Sequence, residues 1–140
     1  MNPELGVLPL TSLVLCACAV CGGAAPAKTY TVVAFGASTT APRGGTRIFA
    51  DRLREALAER GVPVRLLNAG IGGNTTEMAR QRFERDVLAH QPDLVVIHLG
   101  VNDAAWDVWK DPPATGPRVS VARYVENMTH FVREVRARGG

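Results

Sequence analysis

Apolar and polar residues follow a strand-and-helix pattern that repeats three times along this chain. Uninterrupted runs of β-branched and aliphatic residues predict strands, and apolar residues three and four positions apart predict the helices that follow them. In chain order, the strands are predicted at 30–35, 64–67 and 93–99, and the helices at 47–60, 75–89 and about 121–138. Because the strands lack polar alternation, we expect helices on both faces of a parallel sheet. The pattern therefore predicts an α/β fold, a three-layer α/β/α sandwich.

Residues at the predicted helix ends support these boundaries. Gly61 ends the first helix, and Ser120 stands where it can cap the third. Asn74, with Glu77 three positions later, has the spacing of a capping box at the start of the second helix. The third helix carries an apolar stripe that we expect to face the core, namely Val121, Val125, Met128, Val132 and Val135.

Three loops follow the predicted strands, at 36–45, 68–74 and 100–119. Right-handed connections between parallel strands bring the carboxyl ends of all the strands to one edge of the sheet. Ligands bind at that edge in open α/β sheets. We therefore expect any chemistry to lie in these three loops.

The first 27 residues differ in composition from the rest of the chain. They contain an uncharged, largely apolar run and then Ala25-Pro26-Ala27, small residues at a cleavage-like spacing. Segment 1–27 is therefore predicted to be a secretory signal, too short for a comfortable transmembrane helix, and 28–140 to be the mature domain. Processing as a lipoprotein at Cys18 is an alternative, because residues 15–18 loosely match a lipobox. An uncleaved apolar arm is the third interpretation.

Cysteine usage and charge narrow the function classes further. All three cysteines lie within the predicted signal, so the mature chain is expected to have no disulfide and no cysteine metal site. The net charge of +3 comes from basic residues scattered among acidic ones, without a basic run. This balance argues against a nucleic-acid partner. An exported protein, secreted or periplasmic, is expected.

Each of the three loops offers a group suited to acyl transfer. Ser38 follows the first strand, glycines at 70–73 precede a helix N-terminus, and Asn102 offers a side-chain amide. A hydroxyl can attack a carbonyl carbon, while backbone and amide N–H groups stabilise the oxyanion that develops. Simpler interpretations are a helix cap for Ser38 and a turn residue for Asn102. A dinucleotide loop is disfavoured because Thr75 stands where Gly-x-Gly-x-x-Gly needs its third glycine.

These motifs resemble three blocks of the SGNH hydrolases, also called GDSL esterases and lipases. Phe35-Gly36-Ala37-Ser38 resembles their Gly-Asp-Ser block. Residues 68–76 resemble the block that supplies the oxyanion-hole glycine, and residues 100–103 resemble the Gly-x-Asn-Asp block. The resemblance runs from about residue 29 to residue 140. It implies a flavodoxin-like sheet in which the first strand lies between the second and third.

The resemblance also implies roles for single residues. Ser38 is the nucleophile by similarity, and its backbone N–H, the Gly73 N–H and the Asn102 amide form the oxyanion hole. Asp103 is interpreted as structural. The implied reaction is hydrolysis of a carboxylic ester, with no metal or organic cofactor.

The chain departs from the family pattern at two points. Ala37 stands where the family has an aspartate before the serine, and no Asp-x-x-His block follows. The chain is therefore expected to be a partial domain that ends after the third strand and its helix, and to be inactive by itself. We interpret the three histidines as structural residues and not as the catalytic base. His90 suits a helix C-terminus, His98 a packed core position, and His130 a mid-helix position opposite the core stripe.

Two indoles in the third loop suggest how a substrate is bound. Trp106 and Trp109 can stack on a sugar or line an acyl pocket, or else pack the loop on its own domain. Arg43, in the first loop, can reach a polar substrate or face water. With the export signal, the indoles favour acetylated carbohydrate as substrate. A non-catalytic module that binds acylated carbohydrate on the same fold is the alternative function.

Overall fold

A computed structural model describes residues 28–139 of the chain. The elements in chain order are β1 (Tyr30–Gly36), α1 (Phe49–Glu59), β2 (Val64–Gly70), α2 (Thr76–Asp86), a 3₁₀ helix (Leu88–His90), β3 (Leu94–His98) and α3 (Val121–Ala137). The predicted signal segment, with its cleavage site and Cys18, lies outside the described residues. Between residues 28 and 139, no helix has both the length and the hydropathy needed to cross a membrane.

The three strands form a parallel sheet in the order β2-β1-β3. This confirms the predicted α/β fold and the central position of the first strand. β2 is longer than predicted, because Asn68 to Gly70 continue to pair with Ala34 to Gly36 of β1. Within the described residues, the outer edge of β3 has no strand beside it.

The central strand is buried on both faces, as its uninterrupted apolar run predicts. Val33 and Phe35 face α2 and α3, whereas Val32 and Ala34 face the side covered by α1. On the first side, the rings of Phe35, Phe83 and Phe131 pack together, with centroids 4.6 to 5.6 Å apart. This aromatic cluster joins the sheet to both of its helices and makes up much of the larger core.

The predicted core stripe of α3 is wrong in three of its five positions. Val121, Val125 and Val132 are exposed, and the buried residues of the helix are Asn127, Phe131 and Val135. Asn127 can be buried because its amide nitrogen donates to Thr76 Oγ1 at 3.1 Å and to Glu77 Oε1 at 2.7 Å. These bonds to α2 rotate α3 so that a polar residue faces inward and valines face outward.

The helix caps agree with the sequence in two of three cases. Ser120 caps α3 by accepting a hydrogen bond from the Arg123 N–H at 3.3 Å, and Gly61 follows α1 with φ of +67°. The capping box at Asn74 is wrong, because the Thr75 hydroxyl accepts from the Met78 N–H and is the N-cap. The Asn74 side chain binds Arg82 instead.

The observed orientation of α3 predicts that two neighbouring residues contribute very differently to the free energy of unfolding. Phe131→Ala removes a fully buried ring and is expected to lower the free energy of unfolding by about 3–5 kcal/mol. Val132→Ala, at a side chain that is 40% exposed, is expected to change it by less than about 0.5 kcal/mol. Urea denaturation followed by circular dichroism measures both. Equal losses for the two variants would contradict the observed helix orientation.

Candidate active site

Two glycines allow the first loop to fold back onto the strand ends. A side chain at Gly36 would overlap the Thr40 hydroxyl and would lie 2.8 Å from the His98 carbonyl oxygen. A side chain at Gly70 would overlap the backbone of Thr40 and Ala41. Both positions therefore require the absence of a Cβ, and this brings the segment after β1 against the ends of β2 and β3.

Ser38 lies in the tight turn that follows β1. The turn is held by hydrogen bonds from the Thr40 and Ala41 N–H groups to the Ala37 carbonyl oxygen, at 3.1 and 2.9 Å. Ser38 is half-buried, and it does not cap α1, whose N-cap is Ile48 without a side-chain hydrogen bond. Within residues 28–139, the Ser38 N–H donates to no backbone or side-chain acceptor. It is therefore available to a ligand.

Arg43 fixes the backbone of the same turn. Its Nε and Nη2 atoms both donate to the Ser38 carbonyl oxygen, at 3.0 and 2.7 Å. The planar guanidinium suits two such bonds to one acceptor site. The side chain thus holds the proposed nucleophile's own peptide, and contact between Arg43 and substrate stays a prediction.

The second loop presents a free backbone N–H beside this turn. The Ile71 N–H donates to the Gly36 carbonyl oxygen at 3.1 Å, and the Asn74 N–H closes a turn onto Ile71 at 3.3 Å. Gly73 lies in this turn with φ of +76°, a conformation that favours glycine. In the described chain, the Gly73 N–H has no acceptor. It lies just before the N-terminus of α2, where positive partial charge collects.

Asn102 connects the third loop to the second. Its Nδ2 atom donates to the Asn74 carbonyl oxygen at 2.9 Å. A side-chain amide has two N–H groups, and among the described residues only this one acceptor lies within hydrogen-bonding distance. The second N–H is left for a ligand.

Asp103, the next residue, has the structural role expected of it. Its buried carboxylate accepts hydrogen bonds from the Thr76 N–H, at 2.9 and 3.1 Å, and from the Thr76 hydroxyl. A carboxylate suits the positive end of a helix, so this contact fastens the third loop to the start of α2. Together with Asn102, it sets the distance between the second and third loops.

One residue that joins the first two loops was not predicted to do so from the sequence. Asn68, in β2, donates from Nδ2 to the Thr40 carbonyl oxygen at 2.8 Å and accepts from the Gly70 N–H at 2.9 Å. A polar amide at the end of an apolar strand run is the signal that could have found it. Its side chain ties the turn that contains Ser38 to the carboxyl end of β2.

The histidines lie in different places from one another, and two interpretations are corrected: His98 is not a core residue, and His130 does not lie opposite the core. His98 is exposed at the end of β3, and its Nδ1 atom lies 3.2 Å from the Thr39 hydroxyl. Its side chain leaves the core because it shares the less covered side of β3 with the exposed Leu94. His90 lies in the 3₁₀ helix before β3, and the His130 ring packs 6.0 to 6.1 Å from Phe131 and Phe83.

The third loop is organised around the buried carboxylate of Asp107. Arg118 donates to Asp107 Oδ1 through Nε and Nη2, at 2.8 and 2.6 Å, and Lys110 pairs with Oδ2 at 2.6 Å. These contacts, Arg118 first, lower the pKa of the Asp107 carboxyl below its ordinary value. The Arg118 guanidinium also lies 5.7 Å from the centre of the Trp109 ring.

The two indoles of this loop are both well exposed, Trp106 by 50% and Trp109 by 69%. Trp106 borders a mainly apolar cavity of about 480 Å³, whose other lining residues are Gly100, Asp103, Ala104, Pro117, Val119, Val121 and Tyr124. Neither Ser38 nor Gly73 lines this cavity. Trp106 therefore does not share this cavity with Ser38, the predicted nucleophile.

The model of the GDSL-like lipase/acylhydrolase family matches residues 34–140, which include all three loops. The chain belongs to this family. The match confirms the resemblance to SGNH hydrolases on which the site residues were chosen. As its description says, this is a family of lipases and acylhydrolases, which confirms ester or acyl hydrolysis as the activity of the family.

Three similar proteins illustrate the range of the GDSL-like family. An uncharacterized lipoprotein, YqeF, of Bacillus subtilis is 43% identical over 77% of this chain and 44% of its own length. An acetylxylan esterase of Geobacillus stearothermophilus is 34% identical over 52% of this chain and 33% of its own. The solved lipase/acylhydrolase from Enterococcus faecalis has a TM-score of 0.62 and 31% identity, and the match covers 79% of this chain and 54% of that one. The chain thus spans less than half the length of the Bacillus and Geobacillus relatives and about half of the solved Enterococcus protein.

The ion pairs of Asp107 predict a pH-dependent stability of this loop. Because its folded pKa lies below the ordinary 3.8, the carboxylate stabilises the fold above about pH 4, and this contribution is lost as the pH falls through the lowered pKa. Asp107→Asn is therefore expected to lower the melting temperature at pH 7, by an amount that shrinks as the pH falls below about 4. Tryptophan fluorescence during thermal unfolding measures the difference.

Asp111→Asn is the matched control, because Asp111 is exposed in the same loop and forms no ion pair within residues 28–139. It is expected to behave like the parent chain at every pH. A difference between Asp107→Asn and the parent that stays constant from pH 7 to pH 2.5 would contradict the assignment.

Proposed function

We propose that this chain carries the nucleophile and oxyanion hole of a serine esterase. The support is that three loops meet and provide four suitable groups. These are the Ser38 hydroxyl, the backbone N–H groups of Ser38 and Gly73, and one N–H of the Asn102 side chain, and the three N–H groups have no protein acceptor in the described chain. Ser38 Oγ attacks the ester carbonyl carbon, and the carbonyl oxygen becomes an oxyanion. A general base takes the Ser38 hydroxyl proton and returns it to the departing alkoxide, so that an alcohol leaves as the carbon–oxygen bond breaks; water then hydrolyses the acyl-serine.

The unused donors suit the charge that develops in this reaction. The Ser38 N–H, the Gly73 N–H and one Asn102 N–H point to no protein acceptor in the described chain, so they need not break a bond to receive an oxyanion. Donors that are already fixed reduce the reorganisation needed in the transition state.

We propose further that the general base is not among the described residues. His90 borders a cavity at the outer edge of β2 that Ser38 does not line, and the His130 ring packs against Phe83 and Phe131. His98 is at the correct edge, but its Nδ1 atom contacts the Thr39 hydroxyl and, within residues 28–139, no carboxylate that could orient the ring and stabilise its charged form. An Asp-x-x-His segment that packs beside β3 would supply both the base and the group that orients it.

For the substrate, we propose esters of acetylated carbohydrate. The support is the name of the acetylxylan esterase relative, together with the exposure of Trp106 and Trp109 in the third loop, although Ser38 does not line the cavity that Trp106 borders. Indole faces suit sugar rings because both surfaces are apolar and flat. Arg43 would lie at the rim of such a site.

We also propose that the protein is exported. The support is the apolar segment before residue 28 and the name of the lipoprotein relative from Bacillus subtilis. Cleavage near Lys28 would release a domain to the outside of the cell, and lipid attachment at Cys18 would keep it at the membrane surface.

The nucleophile assignment predicts the site of covalent modification. A reactive alkyl phosphonate is expected to add one phosphonyl group to the chain, and Ser38→Ala is expected to abolish this addition. Ser120→Ala is the matched control, because it removes a serine hydroxyl that caps α3 and is distant in sequence from the site. Intact-mass spectrometry with peptide mapping measures the product.

In the same assay, Asn102→Ala is expected to slow labelling by about 10²- to 10³-fold, as for other oxyanion donors. Undiminished labelling of Ser38→Ala would overturn the proposed reaction. If the chain binds acetylated oligosaccharide but labels no faster than free serine, the non-catalytic binding module is the correct function.

The missing base predicts a second result. The 140-residue chain should hydrolyse a short-chain aryl ester only at the residual level that remains when one triad member is lost, about 10³–10⁴ over water. Joining a C-terminal segment with an Asp-x-x-His block is expected to raise turnover by orders of magnitude. The control is the same extension with that histidine replaced by alanine. Full turnover by the unextended chain would contradict the proposal, and His98→Ala would then identify the base.

A further inference from the structure

Arg82, on α2, is a buried cation, and four of the five N–H groups of its guanidinium donate to acceptors in the described residues. Its side chain is 8% exposed and its guanidinium lies 4.6 Å from the centre of the Phe35 ring. Nε donates to Asn74 Oδ1 at 2.8 Å, Nη2 to the Gly36 carbonyl oxygen at 3.0 Å, and Nη1 to the Ala69 carbonyl oxygen at 2.7 Å. Nη1 also pairs with Asp86 at 3.0 Å, which balances the charge.

The acceptors of Arg82 belong to the backbone segments that carry the proposed site. Gly36 precedes the turn that contains Ser38, and Ala69 and Asn74 flank the glycine-rich loop. Asn74 also accepts, through its carbonyl oxygen, the hydrogen bond from the Asn102 amide. One guanidinium is thus connected directly to two of the three loops and through Asn74 to the third.

This arrangement requires arginine rather than any cation. The three nitrogens of a guanidinium donate in fixed directions within one plane, so they hold three acceptors at fixed mutual positions. A lysine ammonium keeps the charge but is a single point with rotatable donors. Arg85, the exposed neighbour on the same helix, shows the contrast: it also pairs with Asp86 but contacts none of the loop residues.

We propose that Arg82 is the positioning residue of the oxyanion hole. By holding Asn74 Oδ1, it fixes the residue that follows Gly73 and that orients the Asn102 amide. Both N–H donors are thereby aimed before substrate arrives. The inference rests on the proposed function, because it concerns donors that stabilise the oxyanion formed at Ser38.

The test measures phosphonate labelling of Ser38 in the 140-residue chain, with the maximal rate and the half-saturating probe concentration determined separately. Arg82→Lys is expected to lower the maximal rate by about 10- to 100-fold, as for small misplacements of catalytic donors, and to change half-saturation less than twofold. Asn74→Ala leaves the Arg82 bonds to Gly36 and Ala69 possible and is expected to give a similar loss. The double variant is expected to be no slower than the slower single variant, because both changes break one connection.

Arg85→Lys is the matched control and is expected to label at the parent rate. A folded Arg82→Lys chain with the parent maximal rate would overturn the inference. If Arg82→Lys fails to fold, Asn74→Ala decides: a parent rate overturns the inference, and a loss confined to the maximal rate supports it. Additive losses in the double variant would also overturn it. Failure of the proposed function itself is seen separately, as labelling that survives Ser38→Ala.

Discussion

The site depends on the pairing of Gly36 with two neighbours at once. In the parallel sheet, Gly36 lies opposite Gly70 on one side and opposite His98 on the other. The three strands therefore end at the same level, and the loops that follow them start within a few ångströms of one another. Because neither Gly36 nor Gly70 has a side chain, the turn at 37–41 can lie directly on the strand ends. Without this register, the serine, the glycine and the asparagine would belong to three unrelated loops.

Much of the fold and the choice of loops could be predicted because their signals are local. An uninterrupted apolar run such as Val32 to Phe35 predicts a strand covered on both faces, and it is buried on both. The exit of each strand is marked by a glycine or an asparagine, so the loops could be found by reading along the chain. Family membership then added what no periodicity contains, namely which hydroxyl and which N–H groups to select.

Other features could not be predicted because they depend on contacts between distant residues. The sequence gives no sign that Asn127 is buried while Val121 and Val125 are exposed, since this follows from amide bonds to α2. Asn74 has the spacing of a cap, but Arg82, eight positions later, takes its side chain. Arg82 itself resembles any helix-surface arginine until the sheet places Gly36 and Ala69 beside it. In each case the tertiary fold, and not the neighbouring sequence, determines which residue the polar side chain binds.

The two faces of the sheet contribute unequally to the site. The hydrogen bonds that fix the three loops come from α2, from Asn68 at the end of β2 and from the loops themselves, whereas α1 covers the opposite face. The last turn of α1 leads through Gly61 to the start of β2, so it lies at the edge of the sheet away from the site. Residues 28–139 contain no cysteine, and Ala58 in that turn is exposed. A cysteine introduced there would give residues 28–139 a single thiol, through which this domain could be attached to a solid support with its reactive edge turned toward solution.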